Sequence, residues 1–161
     1  MIVIVMGVTG SGKTTVGSLL ADQLHWQFAD ADSFHPPENV EKMRNGIVLT
    51  DEDRQPWLNR LHESIVHWIA ADINVVLACS ALKRSYRRNL DVGQQVQFVY
   101  LKGSQAEVAE RLRTRHGHFA TESILSGQFA DLEEPEDAIV VSIAGTPEEI
   151  VGEIRRQIKV G

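Results

Sequence analysis

Residues 7–14 are Gly7-Val8-Thr9-Gly10-Ser11-Gly12-Lys13-Thr14, and they match every fixed position of the phosphate-binding loop pattern G-x-x-x-x-G-K-[ST]. An apolar run at 2–6 precedes this loop, and a segment with the apolar period of a helix follows it. Backbone N–H groups of such a loop converge on phosphate oxygens, Lys13 reaches the β- and γ-phosphates, and the Thr14 hydroxyl ligates Mg²⁺. The sequence therefore predicts a nucleoside triphosphate site formed by Gly7, Val8, Thr9, Gly10, Ser11, Gly12, Lys13, Thr14 and Thr15.

Length and composition indicate a single domain spanning residues 1–161. The chain has 43% hydrophobic and 24% charged residues, as ordinary globular proteins do. A net charge of −6 argues against nucleic acid and anionic membranes as partners. The sequence shows no targeting segment and no run of the ~20 apolar residues that a membrane span needs. The single cysteine, Cys79, lies in an apolar run and is predicted to be buried, which suits a reducing cytoplasm.

Apolar runs recur along the chain with helical patterns between them. The runs are near-continuous, as expected for strands covered on both faces, and they lie at 2–6, 26–29, 75–79, 96–101 and 138–143. This alternation predicts an α/β fold with a five-stranded parallel sheet. Thr146 is expected to cap the last helix, and Asp51 to open a long helix with Pro56 at its boundary or in its first turn. Ligands should bind beyond the carboxyl ends of the strands.

Two carboxylates, Asp30 and Asp32, follow the second apolar run. If the backbone there is extended, residues two apart point the same way, so both carboxylates can face one site. We assign Asp30 to Mg²⁺ through water, and Asp32 to the substrate and to the role of general base. The alternative is a solvated acidic turn that caps the following helix. The run at 75–79 ends without an acidic residue, which argues against a motor or a switch and favours a small-molecule kinase.

Basic residues follow at three further places. Arg54 can present its guanidinium to a carboxylate or phosphate, or it can pair with a neighbouring aspartate. The cluster at 83–88 can hold an anionic substrate or form a solvated helix face. Arg111 and Arg115 lie one helical turn apart and suit a lid that closes over the triphosphate. His116 and His118 follow them and are expected to be exposed loop residues rather than metal ligands.

Taken together, these motifs resemble those of the gluconate kinase (gluconokinase) family of small phosphate-loop kinases. The resemblance runs from about residue 5 to 141, and its selective parts are Asp30-Ala31-Asp32, His35-Pro36, Asp53-Arg54-Gln55-Pro56-Trp57-Leu58, Cys79-Ser80-Ala81-Leu82-Lys83, Gly117-His118-Phe119 and Gln128-Phe129. It implies a three-layer α/β/α sandwich of the nucleoside-monophosphate-kinase type, with a small lid at about 111–135. The implied reaction is transfer of the γ-phosphoryl group of ATP to the 6-hydroxyl of D-gluconate, by a homodimer.

The resemblance also implies roles for individual side chains. Arg54 would bind the carboxylate of gluconate, and Asp32 would accept the proton of its terminal hydroxyl. Further substrate contacts would come from His35, Lys83 and Gln128. Two alternatives stay open at this point, namely another small-molecule kinase of the shikimate kinase type and a non-catalytic module that senses ATP.

Overall fold

The computed structural model describes residues 1–116 and 120–158, with side chains described outside 115–123. The strands are β1 Ile2–Met6, β2 Gln27–Asp30, β3 Val75–Ala78, β4 Val96–Lys102 and β5 Ile139–Ser142. The helices are α1 Lys13–Leu24, α2 Pro37–Arg44, α3 Asp51–Ala70, α4 Arg84–Leu90, α5 Gln105–His116, α6 Ala120–Asp131 and α7 Pro147–Gln157. A 3₁₀ turn, Ala31–Phe34, lies between β2 and α2.

The five strands form one parallel sheet in the order β2-β3-β1-β4-β5. All five predicted strands are present, with bounds that differ by at most one residue at either end. The phosphate-binding loop follows β1, the central strand, whose five residues are fully buried. Because the strands are parallel, the loops that follow β1, β2 and β3 meet at one edge of the sheet.

Helices cover both faces of the sheet, and each face has its own apolar core. Side chains of successive strand residues point to opposite faces, so Val3 and Val5 contribute to one core and Ile2, Ile4 and Met6 to the other. The first core includes residues of α1 and α7, among them Val16, Leu20, Ile150 and Ile154. The second includes residues of α3 and α4, among them Leu58, Leu61, Ile65 and Leu90. The predicted three-layer α/β/α sandwich is confirmed.

Helices α7 and α3 both begin where the sequence predicts, but Pro56 does not lie where we expected. Thr146 and Glu149 form a capping box at the start of α7. In α3 the capping box consists of Thr50 and Asp53, and Pro56 lies inside the helix, one turn beyond its start. The expectation that Pro56 marks the boundary or the first turn is therefore wrong. The capping box begins the helix before the proline. Proline has no N–H to donate to the carbonyl four residues earlier, that of Glu52, and because Glu52 is exposed in the first turn, the lost bond is tolerated.

Among the described helices, none has the length and apolar character that crossing a bilayer requires.

Candidate active site

Three features shape the phosphate-binding loop. Gly10 and Gly12 have φ angles of 77° and 96°, which side-chain-bearing residues rarely adopt. A Cβ at Gly10 would lie 2.8 Å from Cδ2 of Leu112, so α5 packs directly on the loop. The buried Ser11 hydroxyl and the Lys13 ammonium donate to the Val8 carbonyl, at 2.7 Å and 3.0 Å. The loop is thus curled around its own backbone as phosphate binding requires.

The loop borders a polar cleft of about 240 Å³. Its walls bring together groups from four parts of the chain, namely Thr9, Gly10, Gly12, Lys13, Thr14 and Thr15 of the loop, Asp30 and Asp32, Ala78, Cys79 and Ser80, and Gln128. We call this cleft the phosphate pocket. The other predicted loop residues, Gly7, Val8 and Ser11, lie behind it and shape the loop.

Asp30 lies beside Thr14, although the backbone differs from our expectation. The Thr14 hydroxyl donates to a carboxylate oxygen of Asp30 at 3.4 Å. The other oxygen of Asp30 accepts from the backbone N–H of Asp32 at 3.0 Å, as a cap of the 3₁₀ turn. The expectation that both residues lie in extended backbone is wrong, because the chain turns directly after Asp30. The turn nevertheless brings both carboxylates to the phosphate pocket.

Asp32 and Lys13 perturb each other across the phosphate pocket. Partial burial and the negative charge of Asp30 raise the pKa of Asp32, and the opposing charge of Lys13 lowers it less. Burial lowers the pKa of Lys13, and the charge of Asp32 opposes that shift. A carboxylate with a raised pKa in a phosphate-binding cleft has the properties of a general base.

Gln128 contacts the loop itself. Its side-chain oxygen accepts a hydrogen bond of 2.6 Å from the backbone N–H of Thr9. This contact joins α6 to the phosphate-binding loop and places the Gln128 amide in the phosphate pocket.

A second group of polar residues lies where α3 meets α4, and we call it the arginine cluster. Arg54 donates to the hydroxyl of Tyr86 at 2.8 Å, and that hydroxyl donates to Asp51 at 2.5 Å. Lys83 donates to the same Asp51 oxygen at 3.0 Å. The bonds from Tyr86 and Lys83 lower the pKa of Asp51, and the bond to Asp51 raises the pKa of Lys83. Arg54 therefore donates its hydrogen bond to a tyrosine. The sequence had left open a pairing of Arg54 with a neighbouring aspartate.

His35 connects the two groups, three residues after Asp32. Its ring stacks on Trp57, with 4.5 Å between ring centres and 11° between planes. The Trp57 indole N–H donates to the backbone carbonyl of Ala31 at 2.7 Å. Burial, followed by the charge of Arg54, lowers the pKa of His35 to about 4, so the ring is neutral at pH 7.

The basic cluster at 83–88 divides into different roles. Lys83 belongs to the arginine cluster, whereas Arg87 is buried and donates to the backbone carbonyls of Ala81, Leu82 and Glu133. The Glu133 N–H in turn donates to the Leu82 carbonyl at 2.9 Å. Arg87 thus fastens the end of α6 to the loop that carries Lys83, a structural role that neither alternative at the sequence level included.

The two arginines that the sequence assigns to a lid, Arg111 and Arg115, are described only in part. The Arg111 guanidinium donates to the backbone carbonyl of Ile143, and it lies 4.0 Å from the Cβ position of Gly12. It borders a cleft of about 370 Å³ that adjoins the phosphate-binding loop on the side of α7. The Arg115 and His116 side chains and residues 117–119, which include His118, lie outside the described part of the chain.

Cys79 lies in the wall of the phosphate pocket but is only 2% exposed. Burial raises the pKa of its thiol to about 12, which argues against a nucleophilic role. Within the described residues, no group of three or more His, Cys, Asp or Glu side chains forms a metal cage.

Three residues of the site were not identified from the sequence, namely Asp51, Tyr86 and Asn39. Tyr86 and Asp51 are 35 positions apart, and the polar face of α4 gave no sign that the tyrosine hydroxyl points to α3. Asn39 is 3% exposed, although it lies in the polar helix α2. The composition of that helix did not indicate that Asn39 is buried.

Comparisons with known proteins identify the family of the chain. The model of the shikimate kinase family matches residues 9–159. Gluconokinase from Gluconobacter oxydans is 44% identical over 160 residues, which are 97% of this chain and 90% of that protein. Thermoresistant gluconokinase from Escherichia coli is 41% identical over 165 residues, which are 99% of this chain and 94% of that protein.

Among solved structures, a gluconokinase is more similar to this chain than a shikimate kinase is, both in sequence identity and in TM-score. A gluconokinase from Sinorhizobium meliloti superimposes with a TM-score of 0.85 at 44% identity, covering 94% of this chain and 87% of that one. Shikimate kinase from Bacteroides thetaiotaomicron has a TM-score of 0.66 at 18% identity, covering 97% and 96%, which shows the shared fold alone. On sequence and structure together, the chain belongs to the gluconokinase family.

Proposed function

We propose that this protein transfers the γ-phosphoryl group of ATP to the 6-hydroxyl of D-gluconate, giving 6-phospho-D-gluconate and ADP. The observation that carries the proposal is the juxtaposition of two chemically different groups. The phosphate pocket holds a phosphate-binding loop and two carboxylates. His35 follows three residues after Asp32, and the charge of Arg54, which belongs to the arginine cluster, acts on its ring. A substrate with a hydroxyl at one end and a carboxylate at the other fits both. The gluconokinase relatives support the same choice.

The phosphate-binding loop would hold ATP through its backbone N–H groups and Lys13. The cleft beside Arg111 adjoins the loop and has room for the nucleoside. Arg111 and Arg115 would close over the phosphates as part of a lid at about 111–135, and exclude the water that competes with the sugar hydroxyl.

The hydroxyl of Thr14 and the carboxylate of Asp30 fit a magnesium site. Both are hard oxygen donors, they are 3.4 Å apart, and Mg²⁺ in kinases takes few protein ligands besides phosphate oxygens and water. Thr14 would contact the ion directly and Asp30 through water. When bound, Mg²⁺ would neutralise charge on the phosphate oxygens.

Asp32 would accept the proton of the terminal hydroxyl as that oxygen bonds to the γ-phosphorus. Because its pKa is raised, Asp32 is a stronger base than an ordinary aspartate, and its pKa is closer to neutral pH, where a general base works best. Lys13 would remain on the phosphates and balance the charge that moves to the leaving ADP oxygen.

The far end of the sugar acid would be held by donors. Arg54 would bind the carboxylate, and His35 and Lys83 would contact nearby substrate oxygens. Gln128, which lies in the phosphate pocket, would contact substrate oxygens closer to the reacting hydroxyl. Lys83 already binds a carboxylate, that of the exposed Asp51, and the substrate carboxylate can take its place. The family resemblance implies a homodimer, which sedimentation of the purified protein tests. The single cysteine, the buried Cys79, suits a reducing cytoplasm.

Shikimate is the second candidate acceptor, because the shikimate kinase family model matches residues 9–159 and shikimate also carries a carboxylate. The test is ADP production by the purified chain with Mg²⁺-ATP and D-gluconate, shikimate, a nucleoside monophosphate or no acceptor. We expect stimulation by gluconate alone, and loss of turnover without loss of fold in Lys13→Ala and Asp32→Asn. Stimulation by shikimate would transfer the assignment to that acid. ATP binding without stimulation by any acceptor would support the ATP-sensing alternative.

A further inference from the structure

The amide of Asn39 has its orientation set by a backbone group. Asn39 is buried in α2, and its Nδ2 lies 2.7 Å from the backbone carbonyl oxygen of Asp53 in α3. A carbonyl oxygen only accepts hydrogen bonds, so the atom facing it must be the amide nitrogen. The side chain of Asp53 is held separately, by Lys42 at 2.7 Å and by the backbone of Thr50.

The same nitrogen faces the ring of His35. Nδ2 of Asn39 lies 3.2 Å from Nδ1 of His35. An amide nitrogen donates two hydrogen bonds and accepts none, and one of its hydrogens goes to Asp53. The other must therefore go to His35, which can accept it only if Nδ1 carries a lone pair. The ring proton is then on Nε2.

From this geometry we propose that Asn39 is a positioning residue, which holds His35 as a neutral imidazole protonated on Nε2 so that it serves the sugar acid only as a hydrogen-bond donor. The inference rests on the proposed function for the identity of the ligand. It goes beyond that function by assigning the proton, the direction of the bond and the residue that sets both.

The surroundings of His35 support a neutral ring. The charged group that acts on the ring from α3 is Arg54, a cation that opposes a second positive charge. From α2, Lys42 is paired with Asp53, and from the preceding turn Asp32 lies three residues away and faces the phosphate pocket. Below the ring lies the uncharged indole of Trp57. Charging His35 would also place a proton on Nδ1 against the N–H of Asn39.

The consequence concerns specificity. Both His35 and Arg54 then offer only donors, so the substrate oxygens that they contact must accept, as a carboxylate does at every pH above its own pKa. A polyol hydroxyl also accepts hydrogen bonds, but more weakly than a carboxylate does. A polyol without the carboxylate would therefore bind less tightly, and this is the physical basis for preferring sugar acids.

The first test is spectroscopic and does not depend on activity. Long-range ¹H–¹⁵N correlation spectra of the full chain at pH 7, with His35 identified by its absence in His35→Gln, should show Nε2 protonated and Nδ1 unprotonated. The pattern should persist to pH 5.5. Protonation on Nδ1, or a charged ring at pH 7, would overturn the proposal even if gluconate is phosphorylated.

The second test uses two amides in place of the ring. The Gln side chain can put its nitrogen near the position of Nε2, whereas the Asn side chain can put its nitrogen only near that of Nδ1. Both variants lose the stacking on Trp57, so they are matched. We expect His35→Gln to keep the KM for gluconate within a few-fold and His35→Asn to raise it about tenfold, the effect of one hydrogen bond to a charged group. Equal KM values would contradict the proposal.

The third test reverses the bond. In Asn39→Asp the ionised carboxylate accepts, so it should draw the proton to Nδ1, raise the pKa of His35 and make the KM for gluconate depend on pH between 5.5 and 8. The wild-type KM should be constant across that range. A purely structural role of Asn39 would lower the thermal stability without this pH dependence, and that result would overturn the proposal. If Asn39→Asp does not fold, the spectra and the comparison of His35→Gln with His35→Asn still test the proposal.

Discussion

Arg54 donates a hydrogen bond of 2.8 Å to the hydroxyl of Tyr86, and this bond joins the first turns of α3 to α4 across 32 positions of sequence. The Tyr86 hydroxyl in turn donates a hydrogen bond to Asp51, which also accepts one from Lys83. Both cations that we assign to the substrate are therefore held by one tyrosine and one aspartate. Tyr86 should act on substrate binding although we assign it no contact with the substrate.

We expect Tyr86→Phe to raise the KM for gluconate about five-fold, as for one lost hydrogen bond, and to leave the KM for ATP unchanged. Tyr100→Phe is the matched control, because Tyr100 is also buried and its hydroxyl also binds a carboxylate, that of Glu134, outside the site. Steady-state kinetics with each substrate varied in turn measure the effect. An equal change in both KM values, or an equal change in both variants, would rule out the positioning role.

Arg54→Ala should raise the KM for gluconate about 100-fold, because a bidentate bond to a carboxylate is lost, with the KM for ATP within about twofold of wild type. Arg84→Ala is the control, since Arg84 is an exposed arginine of α4 whose guanidinium lies 4.0 Å from the carboxylate of Glu136, outside the site. Its KM values should match those of the wild type. If Arg54→Ala weakens both substrates alike, Arg54 does not bind the acid.

The pH dependence of kcat/KM for gluconate should report Asp32, because kcat/KM reflects the pKa values of the free enzyme. A general base works only when ionised, and burial with the charge of Asp30 raises the pKa of Asp32 above its ordinary 3.8. The value of kcat/KM should therefore fall as the pH drops through that raised pKa, and its acid limb should lie above pH 3.8. Asp30→Asn removes the repulsion, so its remaining activity should show an acid limb at lower pH.

Asp51→Asn is the control for that shift, because Asp51 belongs to the arginine cluster and does not act on the pKa of Asp32. The pH profile of kcat/KM for gluconate in this variant should keep the wild-type acid limb. A limb that stays in place or moves to higher pH in Asp30→Asn would show that another group titrates.

Gly10→Ala should abolish the fit between the loop and α5. The added methyl group meets Leu112 at 2.8 Å, at a φ of 77° that alanine resists. We expect ATP affinity, measured by calorimetry, to fall about tenfold or more, the effect of a few kcal/mol of strain in the loop. Gly127→Ala is the control, since nothing lies within 4 Å of a Cβ there in α6.

In Gly127→Ala the free energy of unfolding should rise by roughly 0.5–1 kcal/mol, because alanine has the higher helix propensity. ATP affinity should not change. Wild-type affinity in Gly10→Ala would show that the loop tolerates a side chain at this position and that its close contact with α5 is not needed.

The sequence predicted what depends on neighbours along the chain. The phosphate-binding loop, the five strands and the Thr146 cap are all local patterns, and the structure confirms them. The burial of Cys79 followed from the apolar run around it. The error at Pro56 arose because a capping box that begins six residues earlier, at Thr50, outweighs the breaking effect of one proline.

Contacts between distant segments were harder to predict. The sequence placed Arg54 and Lys83 in one site through family resemblance, but nothing in it paired Arg54 with Tyr86 rather than an aspartate. It grouped Arg87 with the other basic residues, although Arg87 is buried against three carbonyls. The partner of such a side chain depends on which helix faces pack together. The sequence pattern within one helix does not contain that information.

The most direct test of the proposed reaction is the proton-coupled ³¹P spectrum of the product formed from Mg²⁺-ATP and D-gluconate. We predict a phosphate monoester whose phosphorus couples to the two protons of C6, appearing in step with ADP. Inorganic phosphate alone, or an ester coupled to a single proton of a secondary carbon, would contradict the assignment of the terminal hydroxyl to Asp32 and of the carboxylate to Arg54.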